Sequence, residues 1–188
     1  IGHTFPAGTV DSYDVWLEFK ATDSTGRILA WSGRAEDDGR GPVDKGAHFY
    51  RAFLLDGAGN PIDKRNAWQV RSVLYVRLIP PGAADTVHFR LDIPEDVQGP
   101  ITLETKLNYR KFSHYYTKYA FAGVAQSGEA GESFDSREYS FDSKPVPDIP
   151  TILLAEDSVQ VEIGEPVWEP QPRLEDRERW NDWGIGML

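Results

Sequence analysis

Residues 13–22 read Tyr13-Asp14-Val15-Trp16-Leu17-Glu18-Phe19-Lys20-Ala21-Thr22. Val15, Leu17 and Phe19 alternate with Asp14, Trp16, Glu18 and Lys20, and a period of two sends successive side chains to opposite faces of a strand. Asp23-Ser24-Thr25-Gly26 is a run of turn formers, and residues 27–32 (Arg27-Ile28-Leu29-Ala30-Trp31-Ser32) return, so the two segments predict a hairpin.

The same grammar continues downstream. Residues 48–56, 72–79, 86–93 and 101–112 are rich in β-branched and aromatic side chains and predict further strands. Gly57-Ala58-Gly59-Asn60-Pro61, Pro80-Pro81-Gly82 and residues 94–100 separate them. A proline has no N–H for a sheet ladder, so Pro80, Pro81 and Pro94 mark strand ends. Residues 36–45 read as a polar, Gly-rich loop. Without a helical period in this part of the chain, the expected fold is all-β. It is an immunoglobulin-like antiparallel β-sandwich over residues 1–143, with 13–22 and 101–112 as central strands.

The pattern changes after Phe141. Lys144-Pro145-Val146-Pro147-Asp148-Ile149-Pro150 is stiff and extended, and residues 144–173 read as a Pro-rich linker with candidate edge strands at 151–154 and 158–163. Residues 174–188 switch to helical spacing, which puts Trp180, Trp183, Met187 and Leu188 on one face of a short terminal helix. A bare apolar face of that kind is an aggregation liability, so Trp180, Trp183 and Met187 are the expected partner-binding residues. The tail reads as the start of a helical domain that the chain does not complete. The opening Ile1-Gly2-His3 carries neither an initiator Met nor a signal peptide, which implies a mature or truncated start.

Composition excludes whole classes of function. The formal net charge is −10, against the basic surface that phosphate neutralisation or an anionic membrane requires. No run approaches the roughly 18 apolar residues of a membrane span. There is no cysteine, hence no disulfide, thiolate metal site, thiol nucleophile or thioether attachment of haem. No Gly-x-Ser-x-Gly elbow, phosphate-binding Gly-rich loop or His-Glu-x-x-His is present, and no carboxylate pair can be assigned. The chain is expected not to be an enzyme.

Of the four histidines, His3 stands out. Gly2-His3-Thr4-Phe5-Pro6-Ala7-Gly8 lets the backbone approach a ligand closely, and imidazole is a common metal and haem ligand. An exposed loop histidine without a ligand fits the same residues. His48 and His88 fall in predicted strands beside Phe49 and Phe89. Asp37-Asp38-Gly39-Arg40-Gly41 and residues 56–63 place carboxylates near glycine turns. Calcium is not favoured there, because neither run matches a calcium loop and hairpin turns use the same residues. Phe112, Tyr115, Tyr116, Tyr119 and Phe121 form either a stacking platform or a packed core. Lys64-Arg65 and Tyr109-Arg110-Lys111 either pair locally or hold an anion such as a haem propionate.

Several stretches together resemble a module of bacterial multihaem c-type cytochromes. They are Gly2-His3-Thr4-Phe5-Pro6-Ala7-Gly8-Thr9, Asp14-Val15-Trp16-Leu17, Gly26-Arg27 and Trp31-Ser32-Gly33. To these add His48-Phe49-Tyr50-Arg51, Asn60-Pro61-Ile62, Lys64-Arg65-Asn66-Ala67-Trp68, Ile79-Pro80-Pro81-Gly82-Ala83-Ala84-Asp85 and Leu107-Asn108-Tyr109-Arg110-Lys111-Phe112. In that family a Gly-His-x-x-Pro-x-Gly segment follows the haem sites and opens a β-sandwich. Trp180-Asn181-Asp182-Trp183-Gly184-Ile185-Gly186 is similar to the first helix of a tetratricopeptide array, which some members carry after the sandwich.

The resemblance implies an extracytoplasmic location, in the periplasm or at the surface of a bacterium, and a role in electron transfer. It implies haem c attached elsewhere, contacted by His3, Phe5 and Pro6, with His3 as a candidate axial ligand of the iron. It also implies a multihaem cytochrome segment or subunit, and tetratricopeptide repeats, as partners. The alternative is an immunoglobulin-like binding module that recognises a protein or carbohydrate through its loops and aromatics.

Overall fold

A computed structural model describes residues 2–63, 66–122 and 147–164, together with Arg177 and Asn181, which are helical. Seven strands lie in the order β1 (Asp14–Thr22), β2 (Ile28–Ser32), β3 (His48–Phe49), β4 (Ala52–Leu55), β5 (Ser72–Val76), β6 (Ile101–Arg110) and β7 (Thr151–Val161). All pairing among them is antiparallel, and the fold is an all-β sandwich. The main sheet runs β2-β1-β6-β7, with β3 also on β1, and β4 and β5 form a second, two-stranded sheet.

β1 organises the molecule. One of its edges pairs with β6 along its whole length, from Asp14 opposite Arg110 to Thr22 opposite Thr102. Its other edge is shared: Trp16 and Leu17 pair with β3, and Phe19 to Thr22 pair with β2. The alternation in the sequence then gives β1 a core on each face. Tyr13 and Val15 pack with Tyr50, while Phe19 and Ala21 pack with Ile101. On the reverse face Trp16 packs with Val43 and Ala47.

The Trp16 indole N–H donates to the carbonyl of Gly33 at 2.9 Å. Gly33 sits at φ +77°, and a Cβ there would lie 2.5 Å from the Leu17 carbonyl oxygen. Only glycine combines this left-handed backbone with so close an approach.

The deepest feature is ionic. Asp14 accepts from Arg51 Nη1 at 3.0 Å and from Arg110 Nη2 at 2.8 Å, and all three residues are buried. Arg110 Nη1 also donates to the Gly41 carbonyl at 2.6 Å and reaches the carbonyls of Gly39 and Arg40. Those carbonyls lie at and just after the end of a turn, Glu36–Gly39, in which Asp37, Asp38 and Gly39 are all left-handed. Such backbone costs an L-residue roughly 1–2 kcal/mol each, so it persists where the surroundings hold it. Here the Arg110 guanidinium and the Thr151 hydroxyl, 3.1 Å from the Gly39 carbonyl, do so.

Four expectations change. Residues 48–56 divide between the two sheets, with Tyr50 and Arg51 at the crossing. Residues 86–93 keep their alternation, with Val87, Phe89 and Leu91 half-buried, yet join no ladder. Phe89 instead stacks flat on Phe19, with ring centroids 4.4 Å apart. The polypeptide after β6 forms a helix, His114–Ala122, where aromatic residues predicted no helix. Its start is set by Ser113, whose hydroxyl accepts from the Tyr116 N–H. Finally, residues 151–161 form one strand paired with β6 from end to end, so the two candidate edge strands, 151–154 and 158–163, are replaced by a single edge strand that ends at Val161. Among the described residues no helix is long and apolar enough to cross a membrane.

Two predictions follow from this frame. Asp14→Asn leaves two buried guanidiniums with no carboxylate and should cost about 3–5 kcal/mol. Asp96→Asn, at the exposed bridge with Arg27, should cost under about 1 kcal/mol. Urea titrations of the two variants measure the difference. The second prediction concerns His48 and His114, both held below the usual imidazole range. Burial is the main cause for each, with Arg77 acting further on His48 and Arg110 and Lys118 on His114. The unfolded chain therefore binds these protons first, and stability should fall as pH drops below about 6.5. Thermal melts from neutral to mildly acid pH should show this slope, and a His48→Gln/His114→Gln variant should flatten it.

Candidate functional site

The N-terminal loop is tied to the sandwich just behind His3. Phe5 exchanges both backbone hydrogen bonds with Ile79, at 2.8 and 2.7 Å. Its ring packs against Tyr50, and Pro6 is buried. Of the three residues assigned to haem contact, Phe5 and Pro6 thus serve as anchors on the protein side, and His3 is the exposed one. His3 Nδ1 lies 3.2 Å from the Thr4 carbonyl oxygen. A carbonyl only accepts, so in the neutral imidazole this hydrogen bond selects the tautomer with the proton on Nδ1 and a lone pair on Nε2.

A second locus is a cavity of about 520 Å³ on the opposite side of the strand that crosses between the sheets. Alternation builds it. Tyr50 points to the core packed on Val15, whereas Phe49, Arg51 and Phe53 line the cavity. The Arg51 guanidinium lies over both aromatic rings, 6.0 Å from Phe49 and 5.8 Å from Phe53. Tyr75 extends this wall by stacking on Phe53 at 5.5 Å. Asp14, Arg51 and Arg110 form the floor, and Ser113, His114 and Tyr115 bring the start of the helix to one side. The rim carries Lys45, Asp56 and Asp63.

Charge is arranged unevenly here. The floor holds two guanidiniums against one carboxylate, all of them buried. Arg110 is 1% exposed, and its Nε has no hydrogen-bond partner; the guanidinium sits 5.7 Å from the Trp16 ring. The rim is acidic. Asp56 is held below the usual carboxylate range by Asn60, whose backbone and side-chain N–H groups both donate to it. Burial pushes the Tyr75 and Tyr115 hydroxyls up, so both stay neutral donors. His114 Nδ1 lies 3.3 Å from the Arg40 carbonyl, a contact that favours the charged ring, while burial outweighs it and holds His114 below the usual imidazole range. This arrangement can hold a ligand: it offers cationic donors below, flat apolar walls, and carboxylates above.

The other expectations fall as follows. His48 is paired with Asp85 at 3.1 Å, on the far side of the strand from the cavity. The 56–63 loop is a turn: the Asp56 carboxylate accepts from the backbone N–H groups of Ala58 and Asn60. Among the described residues no cluster of three His, Cys, Asp or Glu is placed to hold a metal. Arg110, expected either to pair within the chain or to hold an anion, pairs with Asp14 and is the most deeply buried charge among the described residues. Lys64, Arg65, Trp180, Trp183 and Met187 lie outside the described residues. The sequence reading missed the cavity itself. Its signal was present as Phe49-x-Arg51-x-Phe53, a cation between two aromatics on one strand face.

No protein-family model matches the chain, and no curated protein matches it either. A solved structure does. The crystal structure of a penta-haem cytochrome c552 from Thermochromatium tepidum superposes with a TM-score of 0.51 at 15% identity. The match covers 85% of this chain and 33% of the cytochrome, so the chain spans about a third of the length of its neighbour. At that identity the likeness is one of fold.

Proposed function

We propose that this chain is a non-catalytic β-sandwich module of an extracytoplasmic multihaem electron-transfer assembly. It presents His3 as an axial ligand to a haem c held by another segment or subunit. The observation that carries the reading is the state of His3. The ring is exposed on a loop anchored by Phe5 and Ile79, and its Nδ1 proton is engaged by the Thr4 carbonyl. Nε2 is then the free, unprotonated nitrogen that a haem iron takes, with a carbonyl fixing the tautomer behind it. The fold likeness to a penta-haem cytochrome supports the setting.

The fit is to an axial ligand alone. With no cysteine, the chain has no thiol for a thioether bond, so the macrocycle is attached elsewhere. A haem so ligated supplies one-electron transfer; this chain supplies the nitrogen, its orientation and an apolar anchor behind it. Trp180, Trp183 and Met187 remain the proposed contact with a helical, tetratricopeptide-like partner. That part of the proposal rests on sequence spacing.

The test uses a ferric haem-c peptide that carries its own histidine as fifth ligand and has an open sixth position. Titrating the chain into it should convert the high-spin absorption spectrum to a low-spin one. His3→Ala should abolish the conversion, and His48→Gln, at a half-buried and paired ring, should leave it intact. Equal conversion by wild type and His3→Ala sinks the ligand assignment, as does no conversion by wild type.

A further inference from the structure

The cavity between β4, the Glu36–Gly39 turn and the start of the helix does not take part in the haem reading. We infer that it is a binding site for a small monocarboxylate with a flat, apolar body, its carboxylate directed at the Arg51–Arg110 floor.

Three observations converge. First, the floor is rich in positive charge. Arg51 and Arg110 are both buried and, among the described residues, share the Asp14 carboxylate, while their other guanidinium contacts are backbone carbonyls. Two guanidiniums around one carboxylate favour a second anionic partner, which a ligand carboxylate supplies. Arg110 Nε is buried at the same floor with no hydrogen-bond partner among the described residues. Second, the helix beginning at His114 points its first turn at the cavity, with only Tyr116 capped by the Ser113 hydroxyl. Free N–H groups at a helix start favour an anion. Third, the walls are flat and apolar: Phe49, Phe53 and Tyr75 frame a space of about 520 Å³, large enough for one aromatic ring and its substituents.

The rim decides the remaining specificity. Asp56 and Asp63, against Lys45, leave the mouth net negative and oppose a second negative charge on the outer end of a ligand. They favour a monoanion over a dicarboxylate or a phosphate ester. A cation is disfavoured deeper in, because Arg51 already occupies the faces of Phe49 and Phe53.

The experiment compares three probes of one shape, phenylacetate, 2-phenylethanol and 2-phenylethylamine, by calorimetry and by NMR of the arginine Nε–H signals. Phenylacetate should bind saturably, at least about tenfold more tightly than 2-phenylethanol, the worth of one charge-assisted hydrogen bond. The amine should bind most weakly. Shifts should centre on Arg51 and Arg110. Removing either arginine risks unfolding the chain, so the decisive variant is Ser113→Asp. Aspartate caps a helix as well as serine does, so the fold is retained, while its carboxylate adds a negative charge to the cavity wall that repels a bound anion. Ser113→Asp should lose phenylacetate selectivity and keep its melting temperature. Equal affinity for acid and alcohol, shifts elsewhere, undiminished binding by Ser113→Asp, or no saturable binding of phenylacetate each overturns the inference. None of these outcomes touches His3, whose spectroscopic test stands apart.

Discussion

One carboxylate between two guanidiniums holds this molecule together. Asp14 begins β1, Arg110 ends β6, and Arg51 lies where the chain crosses from the main sheet to the second one. The same three side chains therefore fasten the central strand pair, fix the crossing strand and, through Arg110, clamp the left-handed turn of Asp37, Asp38 and Gly39. A buried ion network is weak evidence of net stability, since desolvation offsets much of the attraction. Its value here is geometric. Two apolar cores on opposite faces of β1 tolerate small shifts; a bidentate carboxylate with partners on two strands does not.

The surface falls into two kinds of region. Around His3 the loop is tied down and the ring is left out, an arrangement suited to presenting one atom. Along β7 the reverse holds: Ile152, Leu153, Leu154, Val159 and Val161 are all at least 45% exposed on a strand paired on one side to β6. Glu156 and Asp157 sit in the middle of that strand, and charges in such positions discourage edge-to-edge pairing with further chains.

Much of the frame was legible in the residues. The alternation of 13–22 gave a central strand and its two faces, because a period of two is a direct consequence of strand geometry, and 101–112 was read as a second central strand. The Asp56 turn was readable from local chemistry. What local pattern cannot carry is long-range choice. Val87, Phe89 and Leu91 alternate as a strand should, yet Phe89 stacks on Phe19 and the backbone forms no ladder. The helix at His114 was hidden by β-favouring aromatics, although its Ser113 cap was visible. The site was legible in half. His3 was singled out by its glycine and proline neighbours, but the Thr4 carbonyl that fixes its tautomer is a matter of conformation. Pairing of Arg110 within the chain was one of two readings, but its partner was hidden, because nothing nearby in sequence reveals an aspartate 96 positions away.

That separation has a consequence during synthesis. A chain leaves the ribosome from its N-terminus, so β1 emerges first and β6 about ninety residues later. Until then β1 has only β2 and two residues of β3 to pair with, and Asp14 lacks one of its two cations. Closing so long a loop is entropically expensive and slow, which places this domain among those whose folding waits on non-local pairing. The central strand is made before any other described strand and waits for its longest partner until β6 emerges. In the interval the newborn chain exposes the alternating apolar face of residues 13–22, the stretch that other strands would most readily take up.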